Sequence, residues 1–200
     1  MATREANPRK DKNVKTFLVR NSGYFTKVLG EPEWNGNYMT FSSSGFPFND
    51  LRMRCYVDEK FLAKIYGSVL EAKFTTGVSG PDWIRAEIIY SGFVKKGKPH
   101  FRVPKSQSNQ SKAGPLLCDL LNSQEDILNA CWMLDLEFLR VFFDPQEQVW
   151  KILLRPYGGS LVWVMIPPMK YNVVLPRGHA EAILSITTKI ARLIQGRYLN

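Results

Sequence analysis

The chain has 200 residues, a formal net charge of +9 and an apolar fraction of 44%, which is typical of one globular domain with a basic surface. Its apolar runs are too short to span a bilayer, so we expect no transmembrane segment. The N-terminus is polar and has no apolar core, so we expect no signal peptide there. The cysteines, Cys55, Cys118 and Cys131, form no CxxC pair, which predicts buried free thiols and a cytoplasmic location.

The N-terminal residues divide into a predicted tail and the start of the domain. Residues 1–14 are rich in Arg, Lys, Asn and Pro and predict a disordered basic tail. Residues 15–200 predict a single domain. Within it, apolar residues at helical spacing predict a short helix near residues 24–29 that ends at Gly30.

A strand-rich block follows. Residues 51–57 alternate apolar with polar side chains, as a half-buried strand does, and residues 83–90 do the same. Two shorter strands are predicted at residues 61–66 and 69–75, with Gly67 and Ser68 as the hairpin turn between them.

Two helices and a loop separate this block from the next. Residues 104–114 are of low complexity and predict a flexible loop. Pro115 is suited to the first position of a helix, and a second helix after Ser123 is expected to bury Trp132.

The C-terminal block predicts strands at residues 136–143, 149–155 and 161–166, and then a helix. The third strand has no polar residue, so we expect it to be covered on both faces. In the helix, one polar stripe interrupts an otherwise apolar surface, and we expect Ile183, Ile186 and Ile190 to be buried and Gly196 to end it. Trp163 is also predicted to be buried.

These elements predict an α+β fold. The expected architecture is an antiparallel sheet of about seven or more strands, with helices between the strand blocks and a long C-terminal amphipathic helix packed on the sheet.

The segment Trp150–Leu175, with the Arg-Pro-Tyr-Gly-Gly-Ser turn and the Ile-Pro-Pro sequence, resembles the C-terminal part of a bacterial family of unknown function. The resemblance covers the last third of the chain. It implies a bacterial α+β domain and carries no activity with it.

No pattern of catalytic residues, metal ligands or cofactor-binding loops is recognisable. His100 and His179 have no partner at ligand spacing, and the glycine-rich stretches are better explained as turns. We therefore predict no catalytic residue, metal or cofactor, and favour a non-enzymatic protein.

One basic segment is distinctive. No acid occurs from Gly92 to Cys118, where basic and aromatic residues are interleaved. Basic groups neutralise phosphates and aromatic rings stack on bases, so the segment is a candidate nucleic-acid site; the alternative is the solvated edge of a sheet. The candidate residues are Lys95, Lys96, Lys98, Phe101, Arg102 and Lys105.

Three functions remain open at this point. The favoured one is a bacterial binding or interaction module, with nucleic acid or an acidic protein as the partner that its charge would suit. The first alternative is a nucleic-acid-associated protein that uses residues 95–112 of the basic segment and the N-terminal tail. The second is a small apolar ligand binder, or an enzyme, with a hydrophobic cavity.

Overall fold

The computed structural model describes residues 3–7, 12–77, 80–91, 97–105 and 113–198, which contain eleven strands and five helices. The strands are β1 (Thr3–Glu5), β2 (Glu33–Asn35), β3 (Tyr38–Phe41), β4 (Asp50–Lys60), β5 (Ala63–Phe74), β6 (Ile84–Tyr90), β7 (Pro99–Arg102), β8 (Leu136–Asp144), β9 (Val149–Pro156), β10 (Leu161–Met165) and β11 (Pro168–Asn172). The helices are α1 (Lys12–Ser22), α2 (Thr26–Leu29), α3 (Ala113–Asn122), α4 (Glu125–Met133) and α5 (His179–Tyr198).

All the strands belong to one antiparallel sheet with the order β2-β3-β4-β5-β9-β8-β6-β7, which confirms the predicted fold class. The centre is β5. It pairs with β4 along its whole length on one edge, and with β9 and then β10 on the other. Strand β1 continues the edge of β4 beyond β3, and β11 pairs with β10.

One face of the sheet is covered by helices and holds the core. The register aligns buried Met53, Leu70, Leu154 and Leu139 in one row across four strands. Helix α5 adds Ile183, Ile186 and Ile190, each at most 1% exposed, as predicted. Trp163 is only partly buried. No helix in the described part of the chain has the length and apolar content to cross a bilayer.

Within the predicted disordered tail, residues 1–2 and 8–11 lie outside the described part of the chain, and the described residues differ from the prediction. Thr3–Glu5 pairs with β4, and α1 begins at Lys12 and buries Val14 completely. A strand at a sheet edge is held by backbone hydrogen bonds, so it needs few apolar side chains and leaves no hydropathy signal.

Other element boundaries also differ from the prediction. Strand β5 runs through Gly67 and Ser68 without a turn, and the hairpin lies instead at Phe61 and Leu62. Helix α5 continues through Gly196, which has open space around it and no positive φ. The predicted flexible loop at 104–114 lies largely outside the described residues, and α3 begins at Ala113, before Pro115.

Two predictions of burial were wrong. Strand β10 is part-buried along most of its length, because it pairs beside β9 on a short section of β5 and is followed by the fully exposed β11. Trp132 is 41% exposed on α4. In both cases the apolar composition predicted a cover that the fold does not provide.

Candidate functional site

Of the predicted nucleic-acid residues, the structure describes four, which lie on β7 or directly next to it: Lys98, Phe101, Arg102 and Lys105. Lys95 and Lys96 lie outside the described residues, and Lys98 and Lys105 are exposed. Arg102 forms an ion pair with Glu87 at 3.1 Å.

Phe101 faces the helices from β7 and is 2% exposed, so its ring belongs to the core. It is not accessible for stacking on a base, and it pairs with Ile88 across the sheet.

The other face of the sheet, which we call the open face, carries the side chains that alternate with the core. Its central row crosses six strands and is formed by Arg52, Glu71, Leu153, Arg140, Glu87 and Arg102. The next row contains Lys73, Lys151, Phe142 and Arg85. The open face therefore combines charged groups with apolar and aromatic ones.

A chain of ion pairs neutralises the β4–β5–β9 side of the open face. Arg54 Nε lies 2.8 Å from Glu71, and Lys73 lies 2.7 Å from Glu147. The Nζ of Lys151 lies 2.6 Å from Glu147 and 2.7 Å from Asp144, so Lys151 links these two carboxylates.

The acid–base pair at the end of this chain is held in its charged form. Burial raises the pKa of Asp144, but hydrogen bonds from Lys151 and from two backbone amides outweigh it and leave the pKa below its ordinary value. Burial likewise opposes the charge of Lys151, while its two carboxylate partners raise its pKa. Neither group exchanges its proton near neutral pH.

Arg155 forms a second ionic cluster. Its side chain is 1% exposed and lies across Gly67 of β5. It reaches Asp58 at 2.8 Å and Glu137 at 2.9 Å. A buried guanidinium thus ties three strands together, and the site requires a glycine beneath it.

Arg85 and Arg140 differ from the other arginines of the open face. Among the described residues, neither forms an ion pair, and the Nε of Arg85 is buried without a hydrogen-bond partner. The nearest carboxylate in the row of Arg140 belongs to Glu87, which pairs with Arg102 instead.

Aromatic rings hold these two guanidinium groups in place. Arg85 lies 4.1 Å from the ring centre of Trp83 and 5.5 Å from that of Phe142. Arg140 lies 4.6 Å from the ring centre of Phe138. Burial lowers the pKa of Arg85; the charge of Asp144 opposes this effect and that of Arg140 adds to it. Two neighbouring positive charges on adjacent strands repel each other, which costs stability.

A cavity of about 460 Å³ contains both arginines, and we call it the arginine cleft. Trp83 and Phe142 form its aromatic part, Leu153 is apolar, and Lys151 with Asp144 supplies the paired charges. A second cavity of about 230 Å³ shares Arg140 and Leu153 with it. The open face therefore has an elongated depression with Arg140 at its middle.

The described residues contain no cluster of three or more His, Cys, Asp or Glu side chains that could hold a metal. The cysteines are buried, as predicted, and no disulfide joins them. Burial, together with the charge of Asp119, raises the pKa of Cys118 to about 11, so this thiol stays protonated at neutral pH.

The arginine cleft was not predicted from the sequence, although a signal existed. Residues 138–142 alternate Phe, Arg and Phe on the face that does not enter the core, and Trp83 with Arg85 shows the same period of two. What the pattern could not show is that the two segments are neighbours, since β6 and β8 are separated by β7 and two helices in the chain.

The fold and the cleft define an α+β protein in which one antiparallel sheet has helices on one face and an arginine-rich depression on the other. By its match over residues 37–194, the chain belongs to the family described as Protein of unknown function (DUF3156). The resemblance seen in the C-terminal third thus extends over most of the chain. Comparison with curated proteins and with solved structures gave no significant match.

Proposed function

We propose that this protein is a non-enzymatic binding module that holds an organic anion in the arginine cleft. The observation that carries the proposal is the placement of Arg85 and Arg140, two adjacent guanidinium groups without a carboxylate partner among the described residues. An anion between them would relieve their repulsion and accept charge-assisted hydrogen bonds.

The chemistry of the cleft supports an anion with a flat apolar body. Guanidinium groups match carboxylate and phosphate in geometry, while Trp83, Phe142 and Leu153 offer apolar surface next to them. A volume of about 460 Å³ is within the range of small-molecule sites.

Binding rather than catalysis fits the groups at the site. Arginine keeps its proton at any physiological pH, and the pKa values of Asp144 and Lys151 move away from neutrality. A general acid or base works best with a pKa near the operating pH. We place this function in the cytoplasm, which three buried cysteines without a disulfide favour.

The experiment is calorimetric titration with naphthoate and phenyl phosphate, with naphthamide as the uncharged control ligand. We expect naphthoate or phenyl phosphate to bind and naphthamide to bind at least tenfold more weakly, because a hydrogen bond to a charged group contributes about 1.5–3 kcal/mol. Arg85→Gln and Arg140→Gln should each weaken anion binding by a similar factor.

Arg192→Gln on the exposed stripe of α5 is the matched control, since it removes the same charge far from the cleft. The cleft variants should unfold at or above the wild-type temperature, because one of two repelling charges is gone. The proposal is wrong if neither anion binds, or if the double variant binds them as the wild type does.

Nucleic-acid association through the basic segment stays a prediction. Exposed Lys98 and Lys105 support it, whereas Phe101 contributes nothing to it from the core.

A further inference from the structure

Two hairpin turns lie side by side at one end of the sheet. The β4–β5 turn consists of Phe61 and Leu62, and the β10–β11 turn of Ile166 and Pro167. The backbone amide of Met165 donates a hydrogen bond to the carbonyl oxygen of Leu62 at 2.9 Å, which joins the two turns.

These turns expose large apolar side chains. Phe61 is 93% exposed and Ile166 is 69% exposed. Leu62, Met165 and Met169 add between 38% and 43% each. We call these five residues the apolar tip. Turns ordinarily carry polar residues, and a contiguous apolar group in water marks an interaction site.

The apolar surface continues from the tip onto the open face. One cross-strand row contains Ala63, Val164 and Met169, and the next contains Ile65, Val162 and Tyr171. Tyr171 is 47% exposed and the others in its row are part-buried.

Cations stand directly behind the tip on both faces of the sheet. Lys60 precedes Phe61 on the open-face side, whereas Lys64 and Lys170 flank Trp163 in a row on the helix side. Lys170 lies 5.2 Å from the ring centre of Trp163. Glu59, two residues before Phe61, pairs with Arg4 at 2.7 Å and with Lys64 at 3.5 Å.

We propose that the apolar tip docks this protein on a lipid bilayer that carries anionic headgroups. The tip would enter the boundary between headgroups and acyl chains, and the lysines behind it would reach the phosphates. A tryptophan at the level of the lysines matches the usual position of this residue at a membrane surface. The formal net charge of +9 favours the same partner.

The size of the tip favours a bilayer over a stable protein partner. At about 200 Å² for a fully exposed large side chain, the five residues offer roughly 570 Å². A standard protein interface needs about 800 Å² from each partner. A bilayer needs no matching surface, so a small apolar protrusion with cations around it is sufficient.

The test is flotation of the full chain with vesicles of phosphatidylcholine alone and of an equal mixture of phosphatidylcholine and phosphatidylglycerol. We expect binding to the mixed vesicles and little binding to phosphatidylcholine alone. The double variant Phe61→Ser, Ile166→Ser should lower the partition coefficient at least tenfold. The variants Lys60→Gln and Lys170→Gln should each lower it about fivefold.

The matched control is Leu116→Ser on α3, which is 61% exposed and lies away from the tip, and it should bind as the wild type does. Thermal unfolding checks the fold of each variant, and the tip variants should unfold at the wild-type temperature because their side chains are exposed.

Three results would overturn the proposal: wild-type protein that does not float with the mixed vesicles, tip variants that float as the wild type does, or a dimer in sedimentation that the tip variant abolishes. The last would assign the tip to a second copy of the chain. Arg140→Gln should leave flotation within about twofold, so this test is independent of the arginine cleft.

Discussion

Gly67 leaves room for a side chain that is distant in the sequence. It lies in the interior of β5, where glycine weakens a strand, and Arg155 of β9 crosses it to reach Asp58 of β4. A Cβ at this position would collide with the guanidinium group. Gly67 therefore marks a close approach between side chain and backbone, not a turn.

Gly67→Ala should lower the free energy of unfolding by about 1–3 kcal/mol, because Arg155 must move and its ion pairs with Asp58 and Glu137 must change. Urea unfolding measures this difference. Gly80→Ala is the control, since a Cβ there meets no atom within 4 Å and its stability should stay within about 0.5 kcal/mol of wild type. Equal stability of the two variants would contradict the close approach.

Asp144 predicts a pH dependence. Because its folded pKa lies below the ordinary value, its stabilising contribution is present above the unfolded pKa of about 3.9 and is lost as the pH falls through the folded value. Asp144→Asn should therefore be less stable than wild type at pH 7, and the gap should narrow as the pH falls below about 4.

Urea unfolding at a series of pH values tests this. In a Lys151→Gln background, the difference in unfolding free energy between Asp144→Asn and the chain with Asp144 should also be smaller, since this change removes the donor to Asp144. A constant difference between Asp144→Asn and wild type at every pH would show that the carboxylate contributes nothing through its charge.

Among the elements, the burial of α5 follows from its apolar face, whereas the burial of β10 is set by the strands beside it. Ile183, Ile190 and Ile194 of α5 are all inaccessible to solvent. Strand β10 is equally apolar in composition but part-buried, because only β5 and β11 flank it. Composition therefore indicates which segments can be buried, while the partners decide which segments are.

Ile190→Ala should lower the free energy of unfolding by about 2–5 kcal/mol, because it leaves a cavity beneath a fully buried helix face. Arg192→Ala, on the exposed stripe two residues away, should change it by about 0.5 kcal/mol or less. Chemical denaturation of both variants provides the measurement, and similar losses for the two would show that α5 is not packed as described.

Over the whole molecule, the net charge of +9 is unevenly neutralised. Carboxylates across the sheet form ion pairs with Arg54, Lys73, Lys151 and Arg155. Arg85 and Arg140 form none, and neither does the exposed Lys98 in the described structure. In the part of the chain that the structure describes, positive charge without a carboxylate partner therefore lies at two separate places, the arginine cleft and Lys98 of the basic segment.

The nucleic-acid prediction is tested through the salt dependence of binding. If the basic segment contacts phosphates, replacing Lys95, Lys96 and Lys98 together by Gln should flatten the slope of log K against log salt by about three units at most. Replacing Lys12, Lys15 and Lys27 by Gln removes the same charge elsewhere and should leave the slope nearly unchanged.

Oligonucleotide titrations at several salt concentrations supply these slopes. No binding at low salt, or equal slopes for the two triple variants, would remove the nucleic-acid function from the basic segment.

The fold class, most strand positions and the buried face of α5 follow from hydropathy alone, because a period of 2 or 3.6 is a local property of the chain. The functional surfaces depend instead on which strands become neighbours. The pairing of β6 with β8 brings Arg85 beside Arg140, and the pairing of β10 with β5 brings the two apolar turns together. Such neighbours depend on strand order. Backbone hydrogen bonds are compatible with many strand orders, and no local pattern in a single sequence specifies one of them.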